Sequence, residues 1–289
     1  MISAIVPAYN EEAAIGRVIE QLRAALAGVA AEGYEIIVVD DGSSDGTAAI
    51  AAAAGARVLH HAANVGYGKS LKDGILAARH DTVMITDADL TYPVDQLPSL
   101  LAEYRKGFDM VVGARSGSHF DGSWLKAPLR LLLKLLVEFT TGRRIPDVNS
   151  GLRLIRREAV LGDLRQLCDT FSFTTSLTLA FLMKRRFVSH VPIPYHQRVG
   201  RTKVRLIRDG LRTLQYIVQA IVYYNPLKIF LLVSLACVAV SLLALGLAAT
   251  ARWPIGYLLS GAGLLAAFLV FGLGLLAELV RQLLDRERS

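Results

Sequence analysis

Two aspartates, Asp87 and Asp89, follow a short apolar run and stand one residue apart. Side chains at this spacing on a strand point to one side, so we expect both carboxylates to converge on a cation, or on a cation and a sugar. Oxygen ligands without a nearby Cys or His cluster suit Mg²⁺ or Mn²⁺ rather than Zn²⁺, and Mg²⁺ usually takes one or two carboxylates with substrate phosphates. The pair therefore predicts metal-assisted binding of a nucleotide diphosphate, although Asp also favours solvated turns.

Asp40, at the end of the apolar run YEIIVVD, strengthens this interpretation. An acidic side chain at the end of a strand in a nucleotide-binding sheet commonly accepts hydrogen bonds from a ribose. The DGSSDGT stretch that follows is typical of a turn in which Ser44 or Asp45 caps the next helix. We therefore assign Asp40 to the nucleotide and residues 42–47 to the turn.

Two nucleotide-binding loops of other enzyme classes do not fit this chain. The first apolar run is followed by PAYNEEAAIG instead of the G-x-G-x-x-G fingerprint, which disfavours NAD. The segment NVGYGKS contains Gly68-Lys69-Ser70, but Ala63 stands where a phosphate-binding P-loop requires its first glycine. This segment predicts a glycine turn that opens a helix, with Lys69 near a phosphate.

The elements that position these residues alternate along the first part of the chain. Strand-like runs alternate with helix-like segments at 11–28, 46–54, 67–79 and 94–106; the runs are ISAIVP, YEIIVVD, RVLHH, TVMITD and DMVVGA. Such alternation predicts an α/β fold with a mostly parallel sheet covered by helices on both faces. Sheets of this kind bind ligands at the carboxyl ends of their strands.

Two long apolar segments lie near the end of the sequence. Hydrophobic residues make up 53 % of the chain, and the excess is concentrated in Ile229–Ala251 and Trp253–Ala277, which carry no charge. Each can cross a hydrocarbon core of ~30 Å as a helix, so we predict a transmembrane hairpin of about 229–251 and 254–277. A buried core helix is the alternative interpretation.

The flanking charges predict how the hairpin is oriented. Lys228 precedes the first apolar segment and Arg281, Arg286 and Arg288 follow the second, against Arg252 alone in the turn. The positive-inside rule then places both termini in the cytoplasm. We expect no cleaved signal, because the apolar run at the N-terminus is only as long as a strand. The isolated cysteines fit a reduced compartment.

The net charge of +7 has a local origin, since the segment from Arg143 to Arg208 carries 14 Lys or Arg against 4 Asp or Glu. Before it, a leucine-rich stretch at about 123–141 places Lys126, Arg130 and Lys134 on one helical face. We predict an amphipathic helix in the membrane interface, and residues 205–225 suggest a second one before the hairpin.

Several cations are candidates for binding a phosphate. Arg115 ends a strand that faces the predicted cleft; the other candidates are Arg130, Arg198, Arg201 and Lys203. We attribute a further set to attraction by anionic lipid headgroups, worth about 1 kcal/mol each: Lys184, Arg185, Arg186, Arg205 and Arg208. A membrane anion explains this charge more simply than nucleic acid does. The histidines share no metal-ligand spacing, so we expect them to be structural or at the surface.

The motifs VPAYNEE, DDGSSDGT, DADLTYP, NSGLRLIRRE and YHQRVGRTK occur in this order within residues 1–225. Together they resemble the inverting GT-A glycosyltransferases of family 2, in particular the polyprenyl-phosphate glycosyltransferases of the dolichol-phosphate mannose synthase type. The resemblance implies a GT-A catalytic domain at 1–204, a juxtamembrane helix at 205–225 and a hairpin with a cytoplasmic tail at 226–289.

The resemblance also implies roles for single residues. The donor nucleotide is expected to be held by Pro7, Tyr9, Glu11 and Asp40, with Lys69 near a phosphate. Asp87 and Asp89 are expected to serve the metal, Mg²⁺ or Mn²⁺, and the diphosphate. Many relatives carry Gln at the position of Thr91, so the third protein ligand of the metal stays open. Asp89 and Arg115 are the residues expected to act on the reacting groups.

The segment FSFTTSLTLAF, residues 171–181, bears on the acceptor. A sugar hydroxyl needs a general base in order to attack, and polymer-forming relatives carry an acid in this segment. Here the nearest acid is Asp169, whereas an ionised lipid phosphate attacks without a base. We therefore expect hexose transfer from a UDP- or GDP-sugar to a polyprenyl phosphate at the cytoplasmic face.

Two alternatives stay open from the sequence alone. The first is a glycolipid or polysaccharide synthase that uses a hydroxyl acceptor, and the second is a catalytically silent membrane scaffold that binds a nucleotide-sugar. Small residues of the second apolar segment also allow close packing of helices and a homo-oligomer; they are Gly261, Gly263, Gly272 and Gly274.

Overall fold

The structure is a computed structural model that describes residues 1–30, 32–116, 127–196, 214–215, 217–219, 221–251 and 253–286. The chain divides into two compact units, Met1–Tyr216 and Ile217–Ser289. The first unit carries the mixed sheet, and the second carries the long apolar helices.

The first unit is built around one sheet. Its strands are β1 (Ile2–Ala8), β2 (Tyr34–Asp40), β3 (Arg57–His60), β4 (Thr82–Ile85), β5 (Met110–Ser116), β6 (Arg153–Arg156) and β7 (Val188–Pro194). Their order across the sheet is β3-β2-β1-β4-β6-β5-β7. All neighbouring strands run parallel except β6, which is antiparallel to both β4 and β5. The predicted mostly parallel sheet is confirmed.

Helices connect these strands as the alternating pattern predicts. They are α1 (Ile15–Val29), α2 (Thr47–Ala53), α3 (Tyr67–Ala77), α4 (Leu97–Tyr104), α5 (Ala127–Thr141), α6 (Arg157–Leu161) and α7 (Phe173–Met183). The elements from β6 to β7 were not predicted, because their basic flanks and short runs give no clear periodicity.

The core lies between the sheet and the helices on its faces. Every residue of β1 is buried, as expected for a central parallel strand covered on both sides. On α1, the buried residues Val18, Ile19, Leu22 and Leu26 recur every three or four positions and form one face. This rigid layer fixes the strand ends at which the polar motifs lie.

The second unit contains two long helices, α8 (Pro226–Ala251) and α9 (Pro254–Arg286). Both are long and apolar enough to cross a membrane, and only 6 % and 11 % of their most apolar windows is buried. This low burial argues against the alternative of a core helix. The second helix continues past the predicted end at residue 277, because neither Gly nor Pro interrupts residues 278–286.

The two long helices pack on each other through small residues. Ser234 Oγ donates a hydrogen bond of 2.9 Å to the carbonyl of Ala267. A Cβ added to Gly274 would lie 2.5 Å from Phe230 Cβ, so this glycine permits the close approach. At Gly261 and Gly272, in contrast, no described atom lies within 4 Å of the added Cβ. The predicted glycines are thus divided between the hairpin contact and the outer surface.

Candidate active site

The loops that follow β1 and β2 are tied together by hydrogen bonds. The backbone N–H of Asn10 donates to Ser43 Oγ at 2.9 Å, and Asn10 Oδ1 accepts from the backbone N–H of Ser44 at 2.8 Å. The N–H of Glu11 donates to Thr47 Oγ1 at 2.8 Å. Tyr9 and Glu11 are therefore held next to the turn that follows Asp40, as a nucleotide site shared by the two loops would require.

The turn itself behaves as the sequence predicts. Asp45 Oδ1 accepts a hydrogen bond of 3.0 Å from the N–H of Thr47, which begins α2. Burial opposes ionisation of Asp45, but the hydrogen bonds from Thr47 and from the Glu12 N–H lower its pKa below the usual value. The predicted turn is confirmed, but the N-cap of α2 is Gly46 and carries no side-chain cap, so Asp45 closes the turn and does not cap the helix.

Asp40 is buried at the carboxyl end of β2, next to Ala8 at the end of β1. Its Oδ2 lies 3.4 Å from Nδ1 of His60. Among the described residues, no hydrogen-bond donor reaches its buried Oδ1. A buried carboxylate oxygen without a partner is costly, so this atom suits a ligand that supplies an N–H or O–H group.

Asp87 and Asp89 lie in a turn and not on a strand. Strand β4 ends at Ile85, and Leu90 has a left-handed φ of 63°. The expectation that both aspartates lie on a strand is therefore wrong, and the convergence of their carboxylates stays a prediction. Instead, Asp89 is buried and its Oδ1 accepts hydrogen bonds from the N–H and hydroxyl of Thr91, at 3.1 and 2.6 Å.

Asp87 is held by residues from two other segments. The hydroxyl of Tyr67, the first residue of α3, donates to Asp87 Oδ1 at 2.9 Å. Gly151 lies against the same carboxylate, because an added Cβ would be 2.9 Å from both of its oxygens. The N–H of Gly151 donates to the hydroxyl of Tyr92 at 2.6 Å. The start of α3 and the loop before β6 therefore meet at Asp87.

Arg115, near the end of β5, forms a bidentate ion pair with Asp147. Its Nε lies 2.7 Å from Oδ2 and its Nη2 lies 2.9 Å from Oδ1. The guanidinium also lies over the ring of Tyr195, 5.4 Å from the centroid, and Tyr195 meets Tyr92 edge-on at 5.5 Å. Tyr92 also accepts a hydrogen bond from Gly151, which lies against Asp87. A chain of contacts through Tyr195, Tyr92 and Gly151 therefore joins Arg115 to Asp87.

A buried arginine shapes the loop between Asp147 and Gly151. Arg153 is fully buried and donates to the carbonyls of Ser150 and Val148, at 2.8 and 2.9 Å. It also donates to Thr178 Oγ1 on α7 at 2.8 Å. Burial lowers the pKa of Arg153 to about 10. Its role in this structure is to join the loop to α7.

The start of α7 presents hydroxyl groups next to the loop. Thr174 and Thr175 donate to Asn149 Oδ1 at 2.5 and 3.2 Å. The neighbouring acid, Asp169, is paired with the buried Lys72, whose Nζ lies 2.7 Å from Asp169 Oδ1. The segment 171–181 itself contains no acidic residue.

The glycine turn before α3 is confirmed, and its tight packing explains its composition. Gly66 has a φ of 114°, and a Cβ added there would lie 2.6 Å from the carbonyl oxygen of Asp169. The N–H of Lys69 donates to the same carbonyl at 3.0 Å. The ammonium of Lys69 pairs with Asp73 at 2.6 Å, one turn further along the helix.

A sequence model of glycosyl transferase family 2 matches residues 3–162, which is more than half of the chain. The chain belongs to glycosyl transferase family 2. The resemblance inferred from the motifs is thereby confirmed, and so is its enzyme class.

Curated relatives within the family include polyprenyl-phosphate sugar transferases. The dolichyl-phosphate hexose transferase of Haloferax volcanii is 33 % identical over 210 residues, which cover 72 % of this chain and 89 % of that protein. The undecaprenyl-phosphate 4-deoxy-4-formamido-L-arabinose transferase of Pseudomonas paraeruginosa is 30 % identical over 312 residues. The match covers 100 % of this chain and 87 % of that protein.

Solved structures share the fold of this family 2 chain. Glucosyl-3-phosphoglycerate synthase from Mycobacterium tuberculosis, in complex with phosphoglyceric acid, matches with a TM-score of 0.63 and 22 % identity over 76 % of this chain and 79 % of that one. Mannosyl-3-phosphoglycerate synthase from Rubrobacter xylanophilus matches with a TM-score of 0.60 and 23 % identity, over 76 % and 72 % of the two chains. Together with the strand order, these neighbours confirm the GT-A fold.

Several predicted residues of this family 2 transferase lie where their roles cannot be read from contacts. Pro7 is the buried penultimate residue of β1, and Arg130 lies on α5 with its side chain outside the described part. Arg198, Arg201 and Lys203 lie outside the described residues, as do Arg205 and Arg208. Their assignments stay predictions.

One assignment of basic residues is wrong. Lys184 and Arg186 were attributed to lipid headgroups, but both pair with Asp163, which is fully buried. A buried carboxylate must be neutralised, and these two cations, which are only partly exposed, do so. They stabilise the end of α7.

The histidines follow the prediction of structural or surface positions where they are described. His61 lies between two carboxylates, with Nδ1 2.9 Å from Asp41 and Nε2 3.1 Å from Asp73. Among the described residues, no group of three His, Cys, Asp or Glu side chains is placed to hold a metal. A cation at Asp87 and Asp89 would therefore depend on one or both of these carboxylates and on the substrate.

Sequence reasoning missed several residues of the site: Tyr67, Tyr92, Asp147, Asn149, Gly151 and Arg153. A signal existed for two of them. Asp147 is the only acid between Arg143 and Arg157, and Tyr92 lies within the DADLTYP motif. Asn149, Gly151 and Arg153 reach the site because β6 inserts between β4 and β5, and Tyr67 reaches it from the start of α3; the sequence pattern reveals neither arrangement.

Proposed function

We propose that this chain transfers a hexose from a UDP- or GDP-linked donor to a polyprenyl phosphate at the cytoplasmic face of a membrane, with inversion at the anomeric carbon. The observation that carries the acceptor class is the opening of α7, where Thr174 and Thr175 bind Asn149. No acid stands in this segment to activate a hydroxyl. The polyprenyl-phosphate specificity named for two relatives supports the same acceptor.

The donor nucleotide is proposed to bind at the joined loops after β1 and β2. Pro7 lies near the end of β1, Tyr9 and Glu11 lie in the loop that follows, and Asp40 ends β2. The buried Oδ1 of Asp40, which no described donor reaches, suits a base N–H or a ribose hydroxyl. Lys69 is a further proposed phosphate contact at the start of α3, where it would have to leave Asp73.

Asp87 and Asp89 are proposed to hold a divalent cation, Mg²⁺ or Mn²⁺. Their carboxylate oxygens are ligands that both ions accept, and two protein carboxylates with a diphosphate suffice for Mg²⁺. The related glucosyl-3-phosphoglycerate synthase has been solved with Mn²⁺ and UDP-glucose, which favours the same class of ion. When bound, such a cation offsets the negative charge of the departing diphosphate. Thr91 fixes the carboxylate of Asp89 in this arrangement.

Arg115 is proposed to bind the acceptor phosphate. Its bidentate contact with Asp147 fixes the plane of the guanidinium, but the same carboxylate offsets part of its charge. Further cations are therefore needed to hold a doubly charged phosphate; those proposed are Arg130, Arg198, Arg201 and Lys203.

In the proposed reaction, a phosphate oxygen of the lipid attacks the anomeric carbon on the side opposite the nucleotide. The new bond joins this oxygen to the sugar, and the bond between the sugar and the nucleoside diphosphate breaks. The phosphate is already ionised at neutral pH, so no protein group has to accept a proton. The cationic side chains reduce the repulsion between the two anions.

The membrane supplies the acceptor and anchors the enzyme. The proposed transmembrane hairpin is formed by α8 and α9. Lys and Arg residues flank its two ends, and the positive-inside rule therefore predicts that both chain ends lie in the cytoplasm. The helix α5 is proposed to lie in the interface, near the lipid phosphate.

The first test is release of nucleoside diphosphate by the full chain in nanodiscs. UDP- and GDP-hexoses are supplied with Mg²⁺ or Mn²⁺, with and without a polyprenyl phosphate. We expect release to require the lipid phosphate and one sugar nucleotide. Release without lipid would contradict the acceptor, and absence of release with every pair would favour the silent scaffold.

A matched pair of variants tests the metal carboxylate. Asp89→Asn preserves the shape of a buried side chain but removes its charge, so we expect activity to fall by a factor of about 100 or more. Asp95→Asn changes an exposed carboxylate on the adjacent turn and should stay active. Circular dichroism checks that both variants fold. Full activity of Asp89→Asn would refute its assignment.

A further inference from the structure

Asp87 is enclosed on two sides by groups that the sequence did not assign to the site. The Tyr67 hydroxyl donates to Oδ1 at 2.9 Å. Gly151 packs against the same carboxylate, since a Cβ added there would lie 2.9 Å from both of its oxygens. The position of this carboxylate thus depends on the hydrogen bond from Tyr67 and on the absence of a side chain at Gly151.

The ring of Tyr67 is itself held in place. It stacks on Phe171 with a centroid distance of 5.7 Å and an interplanar angle of 17°. Its backbone begins α3, directly after Gly66, which packs against the carbonyl of Asp169. Contacts from both the helix start and the 168–171 loop therefore fix the direction in which the hydroxyl points.

Gly151 is itself held in place. The N–H of Gly151 donates to the Tyr92 hydroxyl at 2.6 Å, and a Cβ on Gly151 would also lie 3.0 Å from Tyr92 Cε2. No alternative side chain fits here without moving either Asp87 or Tyr92.

Fixing Asp87 in this way matters because the residue lies in a turn, beyond the last ladder pair of β4 at Ile85. The terminal torsion of an Asp side chain is broad, so neither backbone nor rotamer preference alone sets the direction of its oxygens. A carboxylate that is oriented before the ligand arrives loses less freedom on binding.

We infer that Tyr67 is a positioning residue of the donor site, whose phenol hydroxyl holds Asp87 against Gly151 in the orientation that receives a nucleoside diphosphate sugar. This inference rests on the proposed function, because it takes Asp87 to bind the donor. It adds to that function a residue from α3 and a link to Phe171, which opens the segment beside the acceptor.

The decisive variant is Tyr67→Phe, which removes the hydroxyl and keeps the ring on Phe171. We expect UDP or GDP, whichever the wild type binds with Mg²⁺, to bind about 10- to 100-fold more weakly by calorimetry, the range for losing a hydrogen bond to a charged group. The KM for the sugar nucleotide should rise by a similar factor, whereas the KM for polyprenyl phosphate should not change.

Tyr104→Phe is the matched control. Tyr104 ends α4 and lines a surface with Ile2 and Thr82, which begin β1 and β4, so it lies at the opposite end of the strands. We expect wild-type affinity for the nucleotide. The melting temperature of both variants is measured without ligand, because a merely structural role of Tyr67 would lower it without selectively raising the KM for the donor.

Two further variants test the contact of Phe171 with Tyr67 and the contact of Gly151 with Asp87. Phe171→Leu keeps the hydroxyl but loses the ring contact, so donor affinity should fall by about two- to tenfold. Gly151→Ala places a methyl group against Asp87, so donor affinity should fall while the protein stays folded.

The outcomes separate this inference from the proposed function. If the wild type binds neither UDP nor GDP with Mg²⁺ or Mn²⁺, the proposed function fails. If the wild type binds one of them and Tyr67→Phe binds it equally well, the positioning role is refuted and the donor site stands. A selective loss of donor affinity in Tyr67→Phe supports both.

Discussion

Arg115 and Asp147 form an ion pair that limits the positive charge available at the proposed acceptor position. Arg115 is 15 % exposed and Asp147 only 3 %. Burial disfavours the ionised carboxylate, but the hydrogen bonds and the charge of Arg115 outweigh it and lower the pKa of Asp147 below its usual value of 3.8. The pair is thus ionised at neutral pH.

Removing one partner should reveal the cost of leaving the other charge buried. We expect Asp147→Asn to destabilise the protein by about 3 kcal/mol, which corresponds to a fall of roughly 6–12 °C in the melting temperature. Glu103→Gln, which weakens a pair with the exposed Lys106, should lower the melting temperature far less. Equal melting temperatures for the two variants would contradict the importance of the buried pair.

The same pair predicts a pH dependence. Because the pKa of Asp147 is lower in the folded protein, its contribution to stability is complete above pH ~4 and is lost as the pH falls through the folded-state pKa. As the pH falls below about 4, the melting temperature of the wild type should therefore decrease more than that of Asp147→Asn.

Thr91 orients a carboxylate that is proposed to hold a metal. Its N–H and its hydroxyl both donate to Asp89 Oδ1, at 3.1 and 2.6 Å. A longer side chain such as Gln reaches further from the backbone than Thr does. In this chain the threonine donates two hydrogen bonds to the aspartate, and the third protein ligand of the proposed metal stays open.

At the level of elements, α5 exposes an apolar stripe next to its predicted basic face. Leu131, Leu135 and Phe139 recur every fourth residue and are 57 %, 54 % and 45 % exposed. Val137 and Thr140 are buried on another face. An exposed apolar stripe beside basic residues is typical of a helix that lies in a membrane interface.

We expect replacement of the stripe by serine, Leu131→Ser with Leu135→Ser and Phe139→Ser, to impair use of acceptor embedded in a bilayer. Each half-exposed side chain contributes about 1 kcal/mol when it enters lipid, so the KM for bilayer-embedded polyprenyl phosphate should rise roughly tenfold or more. A short, water-soluble polyprenyl phosphate should be used as before.

Phe187→Ser is the control for this prediction. Phe187 is 66 % exposed and precedes β7, at the end of the strand opposite the site. It should leave the KM for both acceptors unchanged. An equal rise for the embedded and the soluble acceptor in the stripe variant would show that α5 acts on the site and not on the membrane.

At the scale of the whole molecule, the chain combines a catalytic unit with an apolar hairpin. The predicted orientation of the hairpin can be measured with single cysteines, after replacement of Cys168 and Cys237 by serine. In right-side-out membrane vesicles, a membrane-impermeant maleimide should label Trp253→Cys directly, and Ser289→Cys only after permeabilisation. The reverse pattern would place both chain ends outside the cytoplasm.

The sequence by itself determined the parts that depend on local patterns. Alternating apolar runs predicted β1 to β5 and the helices between them, and two uncharged segments predicted the long helices. The motifs identified the family and marked Asp40, Asp87 and Asp89. These features are readable because periodicity, turn residues and motif order are properties of neighbouring residues.

Only the tertiary structure decided which side chains meet at the site. Tyr67 and Gly151 are far from Asp87 in sequence. Tyr67 reaches it from the start of α3, and Gly151 reaches it because the antiparallel strand β6 enters the sheet beside β4. The same insertion pairs Arg115 with Asp147 and corrects the assignment of Lys184 and Arg186. Contacts of this kind depend on strand order, which no local pattern encodes.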